Sequence, residues 1–436
     1  MVPVAAISNR RGIETAYGKF CLQLAMIVNP PPNSKPIDRH IDVLLALRGL
    51  ACLMVVVAHC DPPKNSIVYR DFDLSWLFFS AGGVAVRIFF CLSGYLMGKA
   101  FYTKRYGLDR SGIVRFFSNR ILRIFPLYYF TVFFLSLFVY SEILKFENWR
   151  YFGRLVTFTY NHMLPVAFNG ALWTLSTEVQ FYVLVPFIFW VCQRSLKTRR
   201  TVAIAALVLI ACSWALRYFT YLYLEATLEY PQDAIAFVKF VYVPVWMNLD
   251  VFLSGFLLNA WFQVTPDRHL SCQTKLNLAK LNLKGLSIIG LIGLYLFTAQ
   301  YKYYNQEELG LISPTLTLAA TSLFIFAFES STEPQSRTQV NRSLQWRSVP
   351  KNPWLLLETL GILSYGIYVW HFPIIAKIRP FLNAEIPLVA YLQRLMIALI
   401  LSILAAWITY YWIEVPAAKM KRLKSERSRT NDRAKF

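Results

Sequence analysis

Ten apolar runs, each long enough to cross a lipid bilayer, constrain this chain more than any other feature of its sequence. A helix rises 1.5 Å per residue, so about 20 apolar residues span the hydrocarbon core. Charged residues make up 16% of the chain, whereas soluble domains carry about 25%. The sequence therefore predicts an all-α fold, a polytopic integral membrane bundle of about ten transmembrane helices. The runs lie near residues 43–60, 75–97, 122–141, 173–192, 201–221, 240–261, 285–301, 314–329, 360–378 and 389–413.

The positive charge of the chain is concentrated in the segments between these runs. Of the 45 Lys and Arg residues, 32 lie in segments that successive spanning helices would place on the same side of the membrane. Short cytoplasmic loops are rich in Lys and Arg, so we expect this side, which includes both termini, to be cytoplasmic. The net charge of +21 is therefore explained by topology in the lipid bilayer, and no nucleic acid partner is predicted.

Three segments differ in composition. Residues 1–40 contain four prolines between positions 30 and 36, which predicts a poorly ordered cytoplasmic leader. Residues 41–416 hold all ten runs and form the predicted transmembrane domain. Residues 417–436 form a basic cytoplasmic tail, which would either contact anionic lipid or only flank the last helix. The seven cysteines show no CxxC or zinc-type spacing, so no metal site is predicted.

Arg48 and His59 lie in the first run, eleven positions apart. At 1.5 Å and 100° per residue, this spacing separates them by about 16 Å along one face of a helix. A charged residue inside a spanning helix is costly, so Arg48 should face a polar cavity, which we expect His59 to share. A neutral imidazole can act as a general base near pH 7, so His59 is a catalytic candidate. The alternative is a helix-end histidine solvated at the membrane interface.

The second run contains GGVAVRIFFCLSGY, residues 82–95, in which Arg87 is the one charged residue. The glycines and Ser93 predict close packing between helices. Arg87 needs a partner inside the membrane, so it is a candidate for a polar cavity.

Arg120 and Arg123 stand at the cytoplasmic start of the third run, and Arg115 precedes them. Residues three apart share a helix face, and two guanidinium groups there form a fork that suits phosphate oxygens. Alternatively, these arginines serve only as cytoplasmic flanking charges.

Glu178 lies within LWTLSTEVQFY, residues 172–182, near the start of the fourth run. A carboxylate inside the membrane is a functional candidate by default. We expect it at a depth similar to that of His59, where it could orient the imidazole. A structural ion pair with Arg48 or Arg87 is the alternative.

The ninth run contains GILSYGIYVWHFP, residues 361–373. Ser364, Tyr368 and His371 recur at spacings of four and three, which places them on one helix face as candidates for lining a cavity. Hydrogen bonding between helices would explain Ser364 and Tyr368 equally well. The segment YYWIEVP, residues 410–416, is typical of an interfacial anchor that ends a helix, and no chemistry is predicted for it.

Taken together, these motifs resemble those of the acyltransferase family 3 membrane proteins, which O-acylate bacterial surface polysaccharides and related glycans. The resemblance implies transfer of an acyl group, often acetyl, from acyl-coenzyme A to a sugar hydroxyl. His59 would be the catalytic histidine with Arg48 as its partner, and Arg120 and Arg123 would handle coenzyme A. Many relatives carry an aspartate where this chain has Arg87. In chain order, the matching motifs are Arg48-x10-His59, FFCLSGY, Arg120-x-x-Arg123, LSTEVQFY, SYGIYVWHFP and YYWIEVP.

We therefore expect a multi-pass acyltransferase of the bacterial inner membrane, with acyl-CoA as a co-substrate and no permanently bound cofactor. The phosphates of acyl-CoA would bind Arg120 and Arg123 with help from Arg115. The pantetheine arm would then rise past Arg48 toward His59. Arg48, together with His371, would stabilise developing negative charge or position the acyl carrier, and Glu178 would orient His59 or stabilise its imidazolium. His59 would deprotonate a hydroxyl of a glycan or lipid-linked saccharide at the extracytoplasmic side, or carry the acyl group transiently.

A membrane transporter or flippase for a glycan or small metabolite is the alternative function. Ten spanning helices and charges inside the membrane fit such a protein equally well on physical grounds. Against it, the sequence shows no evident inverted repeat of interrupted helices, and the arginine pair stands at the inner rim rather than midway across the membrane.

Overall fold

The computed structural model describes residues 42–160, 168–229, 236–264, 273–304, 311–330, 354–382 and 384–420. Within these ranges, eight helices are long and apolar enough to cross a membrane, and two shorter apolar helices bring the number to ten. The predicted all-α, polytopic membrane fold is therefore confirmed, while the side on which the termini lie stays a prediction. The predicted leader, residues 1–40, lies outside the described residues, as does the tail from residue 421.

Each of the ten predicted runs corresponds to one of these ten helices, and one further short helix, α4, was not predicted. A small antiparallel hairpin, β1 (Val68–Tyr69) and β2 (Phe72–Asp73), follows α1. The helices are α1 (Val43–His59), α2 (Gly82–Tyr102), α3 (Arg110–Phe138), α4 (Trp149–Val156), α5 (Trp173–Ser195), α6 (Arg199–Thr227), α7 (Leu249–Gln263), α8 (Gln273–Tyr303), α9 (Ser313–Glu329), α10 (Trp354–Ile378) and α11 (Pro387–Thr409).

Two glycines allow α1 and α10 to touch backbone to backbone. A methyl group on Gly49 would collide with the carbonyl oxygen of Leu357, and one on Gly361 would collide with that of Leu45. Small residues that permit such close approach are the usual device for packing helices in membranes, where lipid removes the hydrophobic driving force. This contact fixes the lateral position of α1 against α10.

The helices α1 and α10 run in the same direction. At one end, the backbone N–H of Asp42 donates to a carboxylate oxygen of Glu358 over 3.1 Å. At the other end, the rings of His59 and His371 lie side by side. The parallel arrangement therefore brings together two histidines that are more than three hundred residues apart in sequence.

A second close pair is formed by α2 and α7. A methyl group on Gly94 would collide with the carbonyl oxygen of Phe252, and one on Gly255 with that of Cys91. The side-chain amide of Asn259 adds a hydrogen bond of 2.9 Å to the carbonyl oxygen of Tyr95. The predicted close packing of the glycines in the second run is confirmed at Gly94.

The helix α3 begins twelve residues before the apolar run that predicted it. Asp109 caps this start by accepting a hydrogen bond from the backbone N–H of Gly112 at 3.1 Å. The hydroxyl of Ser111 and this backbone N–H hold the pKa of the Asp109 carboxyl below its usual range. Because the helix starts early, all three predicted arginines of this segment stand on one continuous helix.

Candidate active site

A cavity lined by three arginines lies between α1, α2, α3, α5 and α10. Arg48 extends into the cavity from α1. Arg120 and Arg123 lie three residues apart on one face of α3 and line the same cavity. Glu178 contributes a carboxylate from α5. The other lining residues are apolar, aromatic or hydroxyl-bearing: Val86, Phe89, Phe90, Leu92, Ser93, Leu96, Met97, Ile124, Thr174, Leu175, Tyr182, Ser364, Tyr365 and Tyr368. The structure thus brings Arg48, Ser364 and Tyr368 together with the predicted arginine pair.

The cavity carries an excess of positive charge. Among its described lining residues, three arginines face one carboxylate. The Nε atoms of Arg48 and Arg120 are buried and have no hydrogen-bond partner among the described residues. Their guanidinium groups instead pack on aromatic rings, Arg48 at 5.9 Å from the centre of Phe89 and Arg120 at 5.8 Å from that of Tyr182. A guanidinium group whose buried Nε–H is unpaired favours an anionic ligand.

Glu178 is held within the arginine cavity. Its Oε1 atom accepts hydrogen bonds from the hydroxyl of Ser93 at 2.7 Å and from that of Tyr182 at 2.5 Å. Neither ring nitrogen of His59 is hydrogen-bonded to it, so the expected contact between Glu178 and His59 is not formed. The reason is depth, because His59 is the last residue of α1 whereas Glu178 lies more than one turn inside α5 and contacts the middle of α2.

His59 is instead held by α10. Its Nδ1 atom lies 2.9 Å from the carbonyl oxygen of Val55 and 3.3 Å from Nε2 of His371. The ring of Phe372 packs edge-on against His59 at 5.4 Å between centroids. His371 is completely buried, whereas His59 keeps part of its surface exposed. His59 is therefore the accessible member of a fixed histidine pair.

The rings of Tyr368 and Phe89 form an aromatic wall of the arginine cavity, and the Tyr368 ring contacts the histidine pair. Tyr368 lines the cavity with one side of its ring and packs against His371 at 5.4 Å between centroids. Phe89 packs edge-on against Tyr368 at 6.1 Å. The Tyr368 hydroxyl accepts a hydrogen bond from Thr174 at 2.9 Å, which fixes its ring. The expected single cavity shared by Arg48 and His59 is therefore wrong for this structure, since neither histidine lines it.

Arg87 lies outside the cavity, contrary to its prediction as a lining residue. It follows Val86, which faces the cavity, and a step of 100° around the helix turns it away. Its Nη1 atom donates to Ser313 at 3.4 Å, and its guanidinium lies 5.0 Å from the centre of the Tyr242 ring. Beside it, Arg217 of α6 forms a buried ion pair with Asp250 of α7. Arg87 thus belongs to a separate buried cluster.

Arg115 is exposed and is also absent from the cavity lining. It lies more than one helical turn before Arg120, and its charge faces Asp109 near the start of α3. The structure therefore does not bring Arg115 together with the arginine pair.

A second carboxylate, that of Glu414, lies near the arginines and was not predicted from the sequence. The last helix does not end at the segment 410–416: α11 continues through a π-helical turn, Tyr410–Glu414, and remains helical to Met420. Glu414 interacts electrostatically with Arg123 and Arg48, and its buried Oε1 atom has no hydrogen-bond partner among the described residues. π-helical turns often occur at functional sites. The sequence did contain a signal for Glu414: a carboxylate within an apolar segment, which is the feature that made Glu178 a candidate.

The chain is similar along most of its length to bacterial proteins named as O-acetyltransferases. O-acetyltransferase OatA of Staphylococcus aureus is 23% identical over 401 residues, which cover 87% of this chain and 58% of the relative. Peptidoglycan O-acetyltransferase OatA of Listeria monocytogenes is 24% identical over 407 residues, covering 87% and 56%. Putative peptidoglycan O-acetyltransferase YrhL of Bacillus subtilis is 24% identical over 397 residues, covering 87% and 55%.

This chain therefore spans somewhat more than half the length of these relatives. No solved structure matches it. The family model described as "Acyltransferase domain" matches residues 41–411. This range includes all of the apolar helices, the residues that line the arginine cavity and the histidine pair. The chain belongs to this family, the acyltransferase family 3 membrane proteins.

Proposed function

We propose that the protein is a membrane O-acyltransferase that moves an acyl group, most simply acetyl, from cytosolic acyl-CoA to a hydroxyl of a cell-wall or surface glycan. The observation that carries the proposal is the pairing of a cation-rich cavity with a partly exposed histidine beyond its far wall. The names of the relatives support acetyl as the group and a peptidoglycan-like glycan as the acceptor. The distribution of Lys and Arg supports a bacterial inner membrane protein whose arginine pair faces the cytoplasm.

Acyl-CoA would bind through its phosphates to Arg120 and Arg123. Arginine donates parallel hydrogen bonds to phosphate oxygens, and the free donors on Arg48 and Arg120 are otherwise uncompensated in the cavity. Glu178 and Glu414 would keep the three arginines separated and oriented while no anion is bound. Acyl-CoA is a co-substrate in this scheme, and no resident cofactor or metal takes part.

His59 would act as the general base. The proton of the glycan hydroxyl would move to its imidazole as the hydroxyl oxygen bonds to the thioester carbon. Collapse of the tetrahedral oxyanion would break the carbon–sulfur bond, and the imidazolium would return the proton to the coenzyme A thiolate. An acyl group carried transiently on His59 would reach the same products in two steps.

The thioester would reach His59 by displacing the aromatic wall. Phe89 packs between the Arg48 guanidinium and the Tyr368 ring, and its side chain is only partly buried. Tyr368 is held by hydrogen bonds, whereas Phe89 has none to break. Rotation of the Phe89 side chain would therefore be the smallest movement that clears a path around the Tyr368 ring toward the histidine pair.

The test is acetyl transfer by purified protein in lipid nanodiscs. With acetyl-CoA and a soluble peptidoglycan fragment, we expect free thiol release matched by acetylated fragment in mass spectrometry. His59→Ala should abolish both, and Arg110→Gln, an exposed change on α3, should leave both unchanged. A transporter would release no thiol, so wild-type protein that fails with every glycan offered, or full activity of His59→Ala, would contradict the proposal.

A further inference from the structure

The hydrogen bonds of the histidine pair determine which ring nitrogens carry protons. Nδ1 of His371 lies 2.6 Å from the carbonyl oxygen of Tyr368. A carbonyl oxygen can only accept, so this nitrogen carries a proton. In a neutral imidazole, the other nitrogen is then an acceptor. The Nε2 atom of His371 therefore presents a lone pair, and it points at Nδ1 of His59 from 3.3 Å.

The same reasoning fixes His59. Its Nδ1 atom faces two acceptors, the carbonyl oxygen of Val55 and Nε2 of His371. It must therefore be the donor, which leaves the lone pair of neutral His59 on Nε2. A proton taken from a hydroxyl would consequently be received at Nε2, on the side of the ring away from His371.

We propose that His371 is a positioning residue that holds His59 in this tautomer and stabilises the imidazolium formed when Nε2 accepts a proton. The inference rests on the proposed function, in which His59 is the base. In a Ser-His-Asp triad, the aspartate accepts a hydrogen bond from the Nδ1–H of the histidine and so orients that base. The neutral imidazole of His371 would take the place of this aspartate beside His59.

The surroundings of the pair support a neutral partner. His371 is fully buried between Tyr368 and Phe372, and a buried imidazolium without a counter-ion is costly. The carboxylate that acts on His59, Asp61, is itself paired with Arg379 at 2.9 Å and is half exposed. Among the described residues, no other carboxylate acts on either ring, so His371 is the group placed to receive the Nδ1–H of His59.

Two substitutions of equal polarity separate positioning from packing. In His371→Gln, the side-chain amide can place its carbonyl oxygen where Nε2 lies, so an acceptor for His59 is retained. His371→Asn keeps a polar group beside the Tyr368 carbonyl but is too short to reach His59. We expect kcat to fall less than about three-fold for Gln and about ten-fold or more for Asn. The KM for acetyl-CoA should stay unchanged in both, because His371 lies outside the arginine cavity.

A spectroscopic measurement on wild-type protein makes the test independent of whether these variants fold. In ¹⁵N-histidine spectra, with the His59 signals identified by their loss in His59→Gln, we expect a protonated Nδ1 and an unprotonated Nε2. Protonation of Nε2 in the neutral ring would overturn the inference, as would equal kcat for the Gln and Asn variants. Full activity of His59→Ala would instead refute the proposed function, while leaving the tautomer measurement valid.

Discussion

The hydroxyl of Tyr365 on α10 donates a hydrogen bond of 2.6 Å to the carbonyl oxygen of Ile124 on α3. The helix that carries His371 thus holds the helix that carries the arginine pair, at the residue next to Arg123. The arginine cavity and the histidine pair are therefore linked by a direct contact between helices, although the Tyr368 ring lies between them.

Loss of this contact should disturb acyl-CoA binding more than stability. We expect Tyr365→Phe to raise the KM for acetyl-CoA about three-fold and to lower the free energy of unfolding by about 1 kcal/mol, the net worth of one hydrogen bond. The matched control is Tyr129→Phe, which removes a 2.8 Å bond from α3 to the carbonyl oxygen of Val156. That variant should lose similar stability with an unchanged KM. Equal KM values in the two variants would show that the Tyr365 contact does not position the arginines.

The arginine pair should recognise phosphate rather than the acyl group. Replacing Arg120 or Arg123 with Gln removes a charged donor, and we expect the KM for acetyl-CoA to rise about ten- to a hundred-fold. Acetyl-pantetheine has no phosphate, so we expect it to be a weaker acetyl donor than acetyl-CoA. Its KM should be the same in the wild type and in the variants. Steady-state kinetics with both donors measures the difference. Arg110→Gln, on the same helix but exposed, serves as the charge-matched control; a parallel loss with both donors would argue against phosphate binding.

The aromatic wall should keep water away from the thioester. Phe89→Ala would open a passage between the arginine cavity and the histidine pair, and exclusion of water is what prevents hydrolysis of reactive groups. We expect thiol release without any glycan to rise about ten-fold or more, whereas Phe89→Trp should slow glycan acetylation without that leak. Phe326→Ala, which removes a ring stacked on Phe262 outside the cavity, should change neither rate. An unchanged background rate in Phe89→Ala would mean that this ring is not the barrier.

Periodicity and hydropathy were sufficient for the helices and for much of the cavity. A charge inside an apolar run must find a polar environment; that rule selected Arg48, Arg87 and Glu178, of which Arg48 and Glu178 line the arginine cavity. The spacing of three on one helix selected Arg120 and Arg123, which line the same cavity. Spacing on one helix also placed Ser364 and Tyr368 correctly, because side chains four apart share a face whatever the tertiary structure.

The errors arose where the relative depth of two helices mattered. Hydropathy does not show how far a helix extends beyond the bilayer, so Glu178 was expected level with His59. The true partner, His371, comes from the parallel packing of α1 on α10, which depends on contacts at Gly49 and Gly361 that only tertiary structure reveals. Glu414 was missed because its segment was interpreted as an anchor that ends the last helix, whereas the helix continues through a π-helical turn to Met420.

Close packing of α1 on α10 should be the most sensitive point of the fold. Gly49→Ala places a methyl group against the backbone of Leu357, which cannot yield as a side chain would, and overpacking of this kind costs about 1–3 kcal/mol. Gly290→Ala is the matched control, because a methyl group there meets nothing within 4 Å and alanine favours the helix by about 1 kcal/mol. Thermal unfolding in nanodiscs should give a lower Tm for Gly49→Ala and an unchanged or higher Tm for Gly290→Ala. Because α1 carries His59 past His371, Gly49→Ala should also lower kcat; a stable, fully active Gly49→Ala protein would mean that this backbone contact does not set the register of the two histidines.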